Sequence, residues 1–187
     1  IIGAGNHARS CIEVIEQDGR YEIHGLLDNE ITGSVMGYNI LGGDDYCQQL
    51  TEVYSDFFIG VGQIESPRQR ISIYAKINKE YVYWPSFISS YAFVTTHSNI
   101  HSGSIIMPYA VIRAGTIVHS QCIINTGAIL EHGVIVEPFC HIAGGAILLG
   151  EVHIGTRTFI GAGSVVRGGI KIGCNNFIKM CSRITED

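Results

Sequence analysis

The sequence of 187 residues has no run of basic residues: twelve Lys and Arg are scattered among seventeen Asp and Glu, leaving a formal charge of −5. A cationic surface for nucleic acid or anionic lipid is not expected, and the expected partner is a small molecule. No stretch reaches the roughly 18 consecutive apolar residues of a membrane span, and no basic, apolar and small-residue succession marks a secretory signal. The expectation is therefore no membrane partner and a cytoplasmic location. Cys11, Cys47, Cys122, Cys140, Cys174 and Cys181 form no C-x-x-C pair, so neither a zinc ribbon nor a small disulfide-stapled domain fits their spacing. Charged residues are also scarce, 16% against 46% hydrophobic. That balance excludes general disorder and suggests buried surfaces beyond a single core, between subunits. The chain opens at Ile1 rather than Met, so its natural start is expected upstream.

What is present is a period. Every sixth residue from Ile88 to Ile184 is Ile, Leu or Val, seventeen positions without exception. With aliphatics at roughly a quarter to a third of positions, chance would give this less than about once in a million sequences. Two residues before each aliphatic stands a mostly small one, such as Ser104, Ala110, Thr116, Cys122, Ala128 and Cys140. Both point inward from a short strand, and the three residues between strands turn a corner. Three hexads close a triangular coil, and coils stack as parallel strands about 4.8 Å apart. This is a hexapeptide-repeat parallel β-helix.

Strand alternation turns the residue just before each aliphatic outward. The first face then carries Ile105, Ile123, His141, Phe159 and Phe177, the second Val111, Ile129, Ile147 and Val165, and the third turns polar after Ile117 and Ile135. Two apolar faces meeting at an edge predict a homotrimer in which the first face of one chain packs on the second face of the next.

The first half has a different grammar. Ile1-Ile2-Gly3-Ala4-Gly5 ends a strand in a glycine turn, and Ala8, Cys11, Ile12 and Ile15 follow at helical spacing. A second strand, Ile23 to Leu27, ends at Asp28; a third, Phe57 to Val61, runs through Gly62 into Ser66-Pro67-Arg68-Gln69, a helix start. Tyr81 to Trp84 is a short strand or linker before Pro85. The fold class is thus α/β plus all-β: a small Rossmann-like βαβαβ domain over residues 1–84, then the β-helix over residues 85–187. Three or four strands suffice for one nucleotide or nucleotide sugar, held by Gly5, Asn6, His7, Asp28 and Gly62 at a helix N-terminus. A tight turn that binds nothing is the alternative.

The combination resembles the bacterial nucleotide-sugar N-acetyltransferases and sialic acid O-acetyltransferases, the PglD/NeuD-like group. The residues carrying the likeness are Asn125-Thr126-Gly127-Ala128-Ile129-Leu130-Glu131-His132, then His141-Ile142-Ala143-Gly144-Gly145, with Gly42-Gly43-Asp44 upstream. The resemblance implies a left-handed β-helix, acetyl-CoA as cosubstrate, His132 as general base and His141 beside the thioester. CoA would run past Gly150 and Ala162. Many members place an acid directly after the base; here that residue is Gly133, so Glu131 or Glu137 is expected to serve instead. The implied activity is acetyl transfer to the amine of a nucleotide-linked deoxyamino sugar, with O-acetylation of a sialic-acid-like sugar as the alternative. In the expected trimer His132 of one chain and His141 of its neighbour would line one site.

Other readings remain. A histidine on such a surface is by default an interface hydrogen-bonder, which is the reading of His97, His101, His119 and His153, and Cys140 is expected to be core. The γ-class carbonic anhydrases share this β-helix and hold zinc with a pair of histidines five apart, but no two histidines here are five apart, so no metal is expected. A trimeric nucleotide-sugar-binding scaffold without catalysis is the third possibility.

Overall fold

The computed structural model describes residues 1–77 and 79–187. The chain divides into two units: Ile1–Gly62 with Arg68–Pro85, and Gln63–Pro67 with Ser86–Asp187.

In the first unit the glycine turn feeds α1 (Asn6–Asp18), which buries Ala8, Cys11, Ile12, Val14 and Ile15 and stops at Gly19 in the left-handed conformation. A parallel sheet forms around Ile2, which bridges Leu27 on one side and Ile59 on the other. Beyond β1 (Leu26–Leu27) lies a hairpin, β2 (Ser34–Val35) and β3 (Tyr38–Gly42), with β3 parallel to β1. Asp56 bridges Tyr83 at the other side. The hairpin was not expected. Its two-residue turn has φ of +52° at Met36 and +88° at Gly37, the geometry that matches strand twist, but with Met where Asn or Asp would have signalled it. The short α2 (Cys47–Leu50) follows, and then α3 (Arg68–Ile77), close to the expected start. Arg70 of α3 is buried and donates to the carbonyls of Ile59 and Val61, at 3.3 and 2.7 Å, tying the strand end to the helix. At Gly3 a side chain is impossible: φ is +99°, and a Cβ would stand 2.7 Å from Val61 Cγ2 and 3.0 Å from its backbone nitrogen.

In the second unit, among the described residues, seventeen two-residue strands run from β4 (Phe87–Ile88) to β20 (Arg183–Ile184). They form three parallel sheets in which each strand pairs with the one three along, for example Ile123 with Ile105 and His141, and His141 with Phe159. This is the parallel β-helix that the period implies, with the left hand that the family resemblance implies. Twelve of the seventeen period residues, Ile106 to Ile172, form one buried core cluster with small partners such as Ala110, Cys122, Ala128 and Cys140, and the five at its two ends are partly buried and pack against it. Buried in that core, Cys140 has its thiol pushed far above the ordinary range and donates to the Gly155 carbonyl at 3.1 Å. From residue 103 to 181 every corner has a left-handed residue six after the last, half of them glycine; Tyr109, Gln121, Phe139, Glu151, Arg157, Asn175 and Cys181 adopt it without being glycine.

The faces differ from expectation in one respect. Ile105, Ile123, His141 and Phe159 of the first face are 1, 0, 6 and 9% exposed within a single chain, so the central part of that face is already covered, while Phe177 at its end is 46% exposed. The second face is still open, with Val111, Ile129 and Ile147 half-buried and Val165 36% exposed.

Candidate active site

His132 stands on the corner after strand β11 (Ile129–Leu130), exposed, with no hydrogen bond to its ring among the described residues. Eighteen residues on, Gly150 occupies the same corner one coil along, and the imidazole lies over it: a Cβ at Gly150 would meet Cε1 at 2.5 Å and Nε2 at 2.6 Å. Gly150 therefore provides the space that the ring fills. Gly168 follows in the same column, its Cβ position 3.1 Å from the Gly150 carbonyl. The result is an open, glycine-lined corner with one free imidazole over it. Ala162 lies on a different corner, between the first and second faces, and is not brought to His132.

The acids around His132 are arranged differently from the expected pairing. Glu137 is engaged elsewhere, its Oε1 3.1 Å from His153 Nε2. Glu131 precedes the corner, and no hydrogen bond joins its carboxylate to the His132 ring among the described residues. Coil stacking brings a third acid, which the sequence reading overlooked. Glu151 donates its N–H to the His132 carbonyl at 2.9 Å, and its Cγ lies 3.5 Å from where a Cβ at Gly133 would be. Its offset of eighteen from Gly133 was the signal that could have found it.

His141 is not placed beside His132. It lies on the first face, 6% exposed, with Nδ1 against the Gln63 carbonyl and Nε2 3.1 Å from Asn125 Nδ2. Phe159 presents edge-to-face to it at 5.1 Å.

In the first unit, Gly5, Asn6 and His7 open α1; Gly5 is its N-cap residue, and no side chain caps this helix end. Gly62 packs beside His7, a Cβ there falling 3.2 Å from His7 Cβ. His7 Nε2 is 3.5 Å from Cys11 Sγ, a thiol that burial pushes up to about 12 and so keeps protonated. Asp28 serves the loop itself: Oδ2 accepts from Ala4 N–H at 2.9 Å, and Oδ1 from Glu30 and Ile31 N–H at 2.9 and 3.0 Å. Burial pushes its carboxyl up, but the three N–H donors outweigh it and hold it below the ordinary value.

A depressed folded-state pKa contributes stability that is present above the unfolded value, near 3.9, and is lost as pH falls through the folded one. Asp28→Asn is accordingly expected to be less stable than wild type in urea unfolding at pH 7, with the gap closing below about pH 4. An equal gap at both pH values would mean that the charge of Asp28 is not what holds the loop.

Parallel coils of hexads with an open histidine corner define the hexapeptide-repeat acyltransferase class. Residues 1–77 match the family of the PglD N-terminal domain, and over its length the chain is similar to solved sugar acetyltransferases of that class. No curated protein matches. Among solved structures, the acetyltransferase domain of PglB from Neisseria gonorrhoeae is 29% identical, with 100% of this chain and 90% of that chain covered and a TM-score of 0.93. The same domain in complex with acetyl coenzyme A is 28% identical over 98% of this chain and 90% of that chain, TM-score 0.89. PerB from Caulobacter crescentus, in complex with CoA and GDP-perosamine, is 26% identical over 100% of this chain and 87% of that chain, TM-score 0.92.

Among the described residues no helix is long and apolar enough to cross a membrane, and no group of three His, Cys, Asp or Glu could hold a metal ion.

Proposed function

We propose that this protein transfers the acetyl group of acetyl-CoA to the amine of a nucleotide-linked deoxyamino sugar, with His132 as general base. The observation that carries the reading is the exposed, unengaged His132 ring over Gly150, in a chain that superposes end to end on sugar acetyltransferases solved with acetyl-CoA, CoA and a nucleotide sugar. The amine nitrogen attacks the thioester carbonyl, the C–N bond forms, and His132 takes the amine proton. The C–S bond then breaks, and the proton passes to the departing CoA thiolate. The Gly150 N–H, which has no backbone partner among the described residues, is a donor for the oxyanion in between. Glu131 and Glu151 are the carboxylates available to orient the imidazole.

In this reading residues 1–84 hold the acceptor and residues 85–187 the acetyl donor. Gly5, Asn6, His7 and Gly62 form the acceptor cradle at the N-terminus of α1, with Asp28 ordering the loop beneath it. CoA lies along the column of Gly150 and Gly168. The half-open second face, with Val111, Ile129 and Ile147, is one of the surfaces that meet a neighbouring copy in a cytoplasmic homotrimer.

The test is thiol release from acetyl-CoA, on protein whose assembly is set by sedimentation, against UDP-, dTDP- and GDP-linked amino sugars and free sialic acids. Turnover of one nucleotide amino sugar by a trimer is the expected result. Turnover of a sialic acid alone would move the activity to O-acetylation. Binding of a nucleotide sugar with no binding of CoA would leave a scaffold, and a monomer would remove the assembly.

A further inference from the structure

The segment Gln63–Pro67 follows Gly62, counts with the β-helix unit, and leads into α3. Its outer residues Ile64, Glu65 and Ser66 are exposed, but Gln63 is 2% exposed and Pro67 is buried. Two hydrogen bonds hold Gln63 to the first face. Its side-chain Nε2 donates to the Phe139 carbonyl at 3.0 Å, and its own carbonyl meets His141 Nδ1, a partner 78 residues away.

The hydrogen-bond network determines where the His141 proton sits. Asn125 Oδ1 accepts from the Thr126 N–H at 2.8 Å, which turns the Asn125 NH2 group toward His141 Nε2 at 3.1 Å. An amide NH2 only donates, so Nε2 is the acceptor and the ring is neutral with its proton on Nδ1. That proton is what the Gln63 carbonyl accepts. Phe159 closes the remaining edge of the ring. Both ring nitrogens are thereby committed.

We propose that His141 is a positioning residue for the acceptor side of the reaction: its Nδ1–H pins the Gln63 peptide, and through it Gly62, the residue that packs on His7. This rests on the acceptor cradle assigned above. It differs from the role beside the thioester that the family likeness implies, because a buried ring with both nitrogens occupied has nothing left to offer CoA. Asn125, which selects the tautomer, acts through the same ring.

Three variants and two readouts test it. In His141→Ala, amide exchange at Gln63–Glu65 is expected to accelerate, and KM for the nucleotide sugar to rise about 3- to 10-fold, the effect of one lost hydrogen bond, with KM for acetyl-CoA unchanged. His141→Asn, whose Nδ2 can reproduce the Nδ1 donor, should retain most of the exchange protection. His141→Gln, whose amide reaches toward the Nε2 position instead, should not. Exchange unchanged in His141→Ala, or a KM change confined to acetyl-CoA, would overturn the proposal. Exchange does not depend on turnover, so it still decides if no acceptor is consumed, an outcome that would count against the acceptor reading alone. Should the alanine variant fail to fold, the contrast between Asn and Gln carries the test.

Discussion

His132→Ala is expected to lower kcat by about 10²- to 10⁴-fold while leaving the melting temperature and the binding of acetyl-CoA unchanged. The ring is exposed and has no hydrogen bond among the described residues, so its removal opens no core cavity and orphans no buried partner. Its strand neighbour Leu130, fully buried in the core, remains in place. What disappears is the acceptor for the amine proton. Stopped turnover at unchanged affinity is the signature of an interaction made only as the C–N bond forms. A variant that retains most of wild-type kcat on the identified amino sugar would show that the proton goes elsewhere.

Gly150→Ala is the second large effect, and it arises from a single methyl group. The backbone at Gly150 is not left-handed, so alanine brings no conformational strain, but its Cβ would fall 2.5 Å from His132 Cε1. Real contacts of that kind do not occur, and the exposed imidazole is the part that can move. A displacement of the base of about 1 Å is expected to cost up to about 10²-fold in kcat with little change in stability. The double variant His132→Ala, Gly150→Ala should be no slower than His132→Ala alone, because the glycine acts through the ring. If Gly150→Ala instead raises only KM for acetyl-CoA, the glycine serves the cofactor path and not the base.

The two units were legible to different degrees. All seventeen period positions lie in one core or pack against its ends, and pairings such as Ile123 with His141 follow the offset of eighteen that three hexads require. The inward small residues were equally legible, since the pleat and the period assign both. In the first unit, the α1 apolar stripe and the glycine turn were visible as spacing, and Asp28 as the acid ending a strand. The β2–β3 hairpin was not, because its turn uses Met36 where a recognisable turn residue was expected.

At the candidate site the sequence pointed to His132 through its motif, and the Gly150 space followed from the stacking. The roles of the surrounding acids were less legible. Glu137 pairs with His153, whereas Glu151, one coil on from Gly133, comes to the His132 corner. The first face read as an apolar surface for a neighbouring chain, yet its central residues are already covered.

The repeat by itself determined the β-helix, its core and the position of the free imidazole, because a coil brings together residues at a constant offset and a constant offset is readable in a linear text. Only the tertiary structure decided that His141 is buried and bound to Gln63. That contact spans 78 residues with no period, and the partners of the two ring nitrogens are set by which groups the fold places beside them.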